Sequence, residues 1–595
     1  MYVRLQHPTE LEQMLVLQQT QAPPVFSQAQ YSTNTWQTSM QTPQQQILKL
    51  QELLHFESQW QMGGPMGPSS TTQPLPSQCF HTEMSMPQMS GPNPQSAARH
   101  GENDDFNPGD PWPEIKDVNE ILNLAMAKLP YLAASQLVSC IHSVAKLCEQ
   151  DASPPNDFSM DPRIKAILES LRMKAKELAA PRSMMRVVWA LGKLGVKGTD
   201  VEGIISEFGT LAPPRLAHFS PQELSNMLWG LARMAETSKS QHGVTLAHAV
   251  MREGARRLTT FSTQCLTNSL WAVAKLGLRG EEVAVFTREC VLQIHSVIFK
   301  EMSPQGLANS LWACAKIQCD GREGPILENE IVTHFCMDAA RRATASEDLL
   351  KLFFPQELSM ALWGMAKLMG RRSRPAFHLE DDIERFAMAV AREGCLRIHD
   401  FSAQGVSIVA WALATLNLVE APDALQFFEV AAEVASRNIQ TYPPQAIANL
   451  CWALNRVPGK PAVLVRFGRA AALEAQQRMD DFSWQDSSGI VSALMNLGPE
   501  SAEVRDLTIL LVQNASVQCH RIGTQALLNI ALSAVRLKLD PVAVVTPLAN
   551  GIAQAFVKRQ GLNDIDLRQW QEVQRYCGFI TGLAVRKGKK SKKKS

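Results

Sequence analysis

The sequence predicts an all-α fold: a right-handed α-solenoid of about ten helical-hairpin repeats of roughly 40–50 residues. Three observations carry that prediction. One helical phrase recurs along the chain, most clearly at Phe219–Trp229 (FSPQELSNMLW), Phe261–Trp271 (FSTQCLTNSLW) and Met302–Trp312 (MSPQGLANSLW). Each Trp is followed by a small–apolar–small–basic run such as Ala272–Lys275. No segment sustains the period-two alternation of a half-buried strand. A single hairpin cannot bury its apolar face alone, so units of this kind must stack.

Residues 1–112 are rich in Gln, Met, Ser, Thr and Pro. Such a composition buries too little apolar area to offset chain entropy, so disorder is expected there. Within it, Gln46–Phe56 reads as a short amphipathic helix, either transient or a docking peptide. Residues 113–200 read as degenerate capping repeats around His142 and Trp189, and residues 201–540 as the core array. Residues 541–583 read as C-terminal capping helices and residues 584–595 as a Lys-rich tail.

The core units start at residues 219, 261, 302, 353, 401, 442, 482 and 522. Their first helix carries a strong start signal. Ser220 as N-cap, Pro221 at the first position and Glu223 two residues later form a capping box. Phe219 and Leu224 fit a hydrophobic staple across it. A turn follows, often at Gly as at Gly277 or Gly370, and then a second amphipathic helix such as Glu282–Val297. Two longer units suggest insertions, one from about Cys319 to Leu349 and one including Arg371–Arg374.

On a helical wheel the first helix divides into two faces. Leu224, Leu228 and Leu231 cluster on the side that must be core. Gln222, Asn226, Trp229 and Arg233 form a stripe on the opposite side. That stripe repeats in register. Its first column is Gln222, Gln264, Gln305, Gln356, Gln404, Gln445, Gln485 and Gln525. Its second is Asn226, Asn268, Asn309, Asn449 and Asn529, with Met360, Ile408 and Gly489 as replacements. The third is Trp229, Trp271, Trp312, Trp363, Trp411 and Trp452, then Ser492 and Leu532. The fourth is Lys193, Arg233, Lys275, Lys316, Lys367, Arg456 and Arg536, interrupted by Thr415 and Asn496.

Aligned on one wall, these columns match single-stranded RNA: indoles stack on splayed bases, amides meet base edges and cations meet phosphates. A structural reading stands beside each column. Trp packs equally well between units, Gln and Asn can satisfy backbone groups, and a cation in the last turn favours the helix dipole.

The repeated phrase resembles the repeats of the octotricopeptide-repeat and FAST-kinase-like/RAP group of organellar RNA-binding proteins. It is also similar to the helical-repeat subunits of the kinetoplastid RNA-editing substrate-binding complex and to algal chloroplast translation factors. The resemblance covers residues 130 to 540. It implies a chain that binds mitochondrial or plastid transcripts or rRNA, alongside other RNA-processing proteins. The expected role is RNA processing, stability or translation. Many RAP-type relatives end in an endonuclease-like module, whereas residues after 540 read as a helical end and a Lys tail.

Bulk properties narrow the rest. The formal net charge is +1, but Arg586–Ser595 holds seven positive charges and no acid. The remaining chain therefore has 51 basic residues against 57 acidic ones, a near-neutral balance that favours the rival reading, an armadillo-like scaffold for extended peptides. The tail reads as a solvated extension, an RNA tether or a nuclear-import signal, the last implying nucleus or cytoplasm instead of an organelle.

Twelve cysteines stand as singles without metal-ligand spacing, which suits a reducing compartment. No apolar run reaches 18 residues, and no phosphate loop, His-Glu-x-x-His or Gly-x-Ser-x-Gly motif occurs. No enzyme activity, metal, cofactor, small-molecule substrate or membrane contact is expected. The N-terminus, with early Glu10 and Glu12, matches neither a secretory signal nor a transit peptide well.

Overall fold

The computed structural model describes residues 112–578 except 151–157, 159–160, 235–239, 320–325, 371–380 and 559–562. The Gln46–Phe56 segment, the Arg371–Arg374 run and the Lys-rich tail lie outside the described residues. Trp112, by contrast, is fully buried. The described chain is an all-α solenoid with no strand among the described residues.

Helix α1 (Val118–Lys128) opens the array. Ten helical hairpins follow among the described residues. The first five pair α2 (Ala134–Gln150) with α3 (Pro162–Met173), α4 (Pro181–Leu194) with α5 (Thr199–Leu211), α6 (Pro221–Arg233) with α7 (Gln241–Ala255), α8 (Thr263–Leu276) with α9 (Glu281–Glu301), and α10 (Pro304–Cys319) with α11 (Asn329–Ala343). A short α12 (Glu347–Lys351) intervenes. The next five pair α13 (Pro355–Met369) with α14 (Asp381–Leu396), α15 (Ala403–Thr415) with α16 (Pro422–Arg437), α17 (Pro444–Leu454) with α18 (Ala462–Gln477), α19 (Trp484–Leu494) with α20 (Ala502–Gln518), and α21 (Thr524–Arg536) with α22 (Thr546–Lys558). Helix α23 (Asp564–Tyr576) packs on α21. The insertion expected from Cys319 to Leu349 is largely the ordinary second helix α11, lengthened by α12.

The first helix of each hairpin packs on the first helices before and after it, and the second helices do the same. Two layers result, an A layer of first helices and a B layer of second helices. Each hairpin reverses the chain, so all A helices run the same way and end along one rim.

Local sequence explains the A helices. The capping box forms: Ser220 Oγ accepts from the Glu223 backbone N–H at 3.2 Å, and the Ser220 N–H donates to Glu223 Oε2 at 2.8 Å. At α8, α10, α15 and α19 the Oγ of Ser262, Ser303, Ser402 and Ser483 accepts from the N–H three residues on, which is the first half of that box. Before most of these helices a 3₁₀ turn, such as Leu258–Thr260 or Ile398–Asp400, drives the aromatic starter inward. Phe219, Phe261, Met302, Phe353, Phe401, Tyr442, Phe482 and Ile522 are all buried. Each buried starter contributes about 1.5–3 kcal/mol. Leu224, Leu228 and Leu231 fill the core as the wheel requires.

Neighbouring A helices approach very closely. A Cβ added at Gly230 would lie 2.5 Å from Val188 O, and one at Gly364 would lie 2.7 Å from Leu311 C. Both glycines directly follow the column Trp, and both face the residue just before the Trp of the preceding A helix. This crossing explains the small residue after every Trp. Ser225 Oγ adds a bond to Cys265 O at 3.0 Å across the next seam.

The B layer packs through buried rings such as Phe286, Phe386 and Phe467 and carries ion pairs at its surface. Ion pairs link Arg172 to Asp200, Arg252 to Glu282, Arg288 to Glu328, Arg341 to Asp382, Arg392 to Asp423 and Arg466 to Glu433, each from one B helix to the next. A second device crosses the layers. Arg257 donates to Phe219 O, Arg397 to Phe353 O and Arg478 to Tyr442 O, each reaching back one repeat. Each arginine is held by a glutamate one turn earlier: Glu253, Glu393 and Glu474.

Candidate nucleic-acid interface

The structure separates the four predicted columns. The Trp column is sealed: Trp229, Trp271, Trp312, Trp363 and Trp411 are 3–9% exposed, and Trp452 is half-buried. The expectation that the indoles line an open wall is therefore corrected. A wheel considers one helix, but each A helix has three packed sides: its own B helix and the A helices before and after it. What the wheel leaves open narrows to a strip, and a bulky indole beside that strip enters the seam. Trp189 and Trp229 stack with centroids 6.4 Å apart at 29°, and Trp411 and Trp452 at 6.1 Å and 29°. Such pairs contribute about 0.5–1.5 kcal/mol beyond area burial.

The Asn column divides. Asn309 and Asn449 are buried and offer nothing to a ligand, which corrects their assignment. Asn226, Asn268 and Asn529 are half-buried. The Asn226 amide lies 3.8 Å from Met185 Sδ of the preceding A helix. The Gln column stays at the surface: Gln222, Gln264 and Gln525 are exposed, and Gln305, Gln356, Gln404 and Gln445 half-buried. Gln525 donates to Asn529 Oδ1 at 2.9 Å and reaches Gln569 Oε1 of α23 at 3.4 Å.

The basic column also reaches the surface, with one correction. Arg233, Arg456 and Arg536 are exposed, and Lys193, Lys275 and Lys316 half-buried. Lys367 is buried, its Nζ 5.7 Å from the Trp363 ring centroid and 5.3 Å from that of Trp411. It is a cation clamped between two indoles, and its place is structural. Arg233 and Arg456 also lie over their column indoles, at 5.8 and 3.4 Å. At the two interruptions, Thr415 donates to Trp411 O and Asn496 donates to Asn455 Oδ1.

Residues 114–319, spanning α1 to α10, match the family model of the Tbc2 translation factor, N-terminal domain. The match covers about a third of the chain. No curated protein matches it. Among solved structures, a chain of a homology model of the full-length AP-3 complex in an intermediate open conformation is similar over 78% of this chain and 90% of that one. Its identity is 10% and its TM-score 0.27.

The register set by this geometry adds residues that sequence reasoning missed. His142 lies against Trp189 with centroids 5.2 Å apart, so it fills the indole position of α2. Four residues on, exposed Lys146 then belongs to the basic column. In α4 the Gln and Asn positions are Arg182 and Arg186. The signal was present in the spacing from His142 and Trp189, but was hidden by the changed residue types. Burial, with Lys146 and Arg186 adding like charge, pushes the His142 imidazole from 6.5 down to about 3, so it is neutral in the fold.

Among the described residues, no group of three or more His, Cys, Asp or Glu is placed to hold a metal ion. No described helix is long and apolar enough to cross a membrane.

Proposed function

We propose that this chain is a non-enzymatic RNA-binding protein. It holds single-stranded RNA along the A layer and acts in organellar RNA processing, stability or translation, in a mitochondrion or plastid. The observation that carries the reading is register: the same position of five consecutive, parallel A helices, from α2 to α10, presents a cation at or near the surface, and in α6, α8 and α10 a Gln stands about three turns before it. With the indoles sealed, recognition rests on phosphate contacts from the cations and base-edge contacts from the Gln column, not on stacking. The match to a translation-factor family model over α1 to α10 supports it. Burial of the indoles and of Asn309 and Asn449 counts equally against an armadillo-like peptide groove, which would need those groups at its surface.

The test uses the accessible cations. Arg233→Glu, Lys275→Glu and Lys316→Glu together lower affinity for a single-stranded oligoribonucleotide by an order of magnitude or more, with an unchanged circular dichroism spectrum. Unchanged affinity in a filter-binding assay refutes the A layer as the RNA surface. Fractionation of cells expressing the full chain tests the organelle separately.

A further inference from the structure

The accessible cations are not spread evenly along the array. Lys146, Lys193, Arg233, Lys275 and Lys316 come from five consecutive A helices: α2, α4, α6, α8 and α10. Beyond α10 the run breaks. Lys367 is clamped between rings, Thr415 and Asn496 are uncharged, and Arg456 and Arg536 stand two repeats apart. The helices themselves differ in the same sense. Those first five hold seven basic residues against two acidic ones, Glu149 and Glu223. The last five, α13, α15, α17, α19 and α21, hold two of each sign. Glu223 is occupied as the cap of its own helix.

Helix α4 is the most basic A helix of this half. It alone carries a cation at three stripe positions, Arg182, Arg186 and Lys193, and no acid. Arg186 and Lys146 converge on His142, whose neutral ring sits between their helices. Two acids in the adjoining turns are drawn toward the B layer: Asp161 pairs with Arg163, and Glu328 with Arg288. The B layer is acidic, with fourteen basic against twenty-one acidic residues over α3, α5, α7, α9, α11, α14, α16, α18 and α20. An anionic strand is therefore directed to the A face.

We propose that the RNA footprint is confined to the A face of α2 to α10, with its highest positive charge on α4, and that the A face of α13 to α21 does not contact RNA. This inference rests on the RNA-binding reading above and narrows it. A helices packed roughly 8–10 Å apart place the five cations along roughly 40 Å. At one nucleotide per repeat, the footprint is about five nucleotides. Each neutralised phosphate of a single strand contributes about 0.7 to the slope of log affinity against log salt, so five contacts give about −3.5.

Two matched pairs of exposed cations in the full chain test it. Lys146→Glu with Arg233→Glu alters the proposed footprint, and Arg456→Glu with Arg536→Glu alters the other half. Each pair gives up a cation–ring contact, the tighter one being Arg456 over Trp452, so melting curves check the folding of both variants and affinity is compared only between folded proteins. Affinity for oligouridylate is read by fluorescence anisotropy at several salt concentrations. The first pair is expected to lose tenfold or more and to flatten the salt slope by about 1.4. The second pair is expected to stay within twofold. Equal losses, or a larger loss from the second pair, overturn the footprint while leaving RNA binding intact. An unaltered chain that binds no RNA overturns the broader reading, and the footprint with it. If polyglutamate of matched charge binds as tightly as oligouridylate, the face recognises acidic peptide, and the RNA footprint is overturned.

Discussion

Lys367 distinguishes a structural cation from a ligand-binding one. It occupies the same column as Lys275 and Lys316, yet is 8% exposed and held between the Trp363 and Trp411 rings. Lys367→Met keeps the length of the stem and removes the charge. Each desolvated cation–ring contact contributes up to about 2 kcal/mol, so losing both costs about 2–3 kcal/mol after the methionine recovers some packing. Lys367→Glu places a carboxylate against two ring faces of negative potential. An uncompensated buried charge costs about 3–5 kcal/mol, which sets the expected loss. Lys275→Met, at a half-buried position, is expected to cost under about 1 kcal/mol. Solenoids unfold in segments, so the appropriate readout is native-state hydrogen exchange in α13 and α15, with the urea midpoint as a second measure. RNA affinity of folded Lys367→Met is expected to stay within twofold of the parent. A Lys367→Glu protein as stable as Lys275→Glu, or one that loses RNA binding while fully folded, would refute the clamp.

Gly364→Leu inserts side-chain atoms where even a Cβ meets the Leu311 backbone, and is expected to cost about 1–3 kcal/mol by urea denaturation. Gly489→Ala in α19, where nothing lies within 4 Å, is expected to stabilise by up to about 1 kcal/mol, and the reverse order would contradict the close crossing of A helices. For His142, the imidazole is neutral in the fold and ordinary when unfolded, so its own contribution to stability levels off above pH 6.5. As pH falls from 6.5 toward about 3 only the unfolded chain gains the proton, and stability drops by up to about 1.4 kcal/mol per pH unit. Urea midpoints at pH 7 and pH 5 should converge in His142→Phe, and an unchanged pH profile in that variant would exclude His142 as the source.

The repeat, the caps and the core face were legible because they are local. A Ser-Pro-x-Glu start fixes its own hydrogen bonds within four residues, and Leu at wheel-matched positions must point inward whatever lies next door. The fate of the stripe was not legible in the same way. Whether Trp271 faces solvent depends on α6 and α10, and no wheel drawn for α8 contains them. The departures hid the rest. His142 in place of Trp concealed Lys146, and Arg182 and Arg186 in place of Gln and Asn concealed the charge of α4. The Glu253–Arg257, Glu393–Arg397 and Glu474–Arg478 pairs went unremarked in the sequence, since nothing local shows that the arginine reaches a carbonyl some 40 residues earlier.

Those arginine tethers recur unevenly. They brace the joints that precede Phe261, Phe401 and Phe482, while the corresponding residues before Met302, Phe353 and Tyr442 are Ile298, Leu349 and Asn438. Joints with and without this tether are thus interspersed along the array, like a spring with some of its coils pinned. A change of pitch, whether from thermal breathing or from a polymer winding along it, is expected to concentrate where the tether is missing. Changing Asn438 to arginine, with a glutamate one turn before it, is the simplest way to stiffen one such coil.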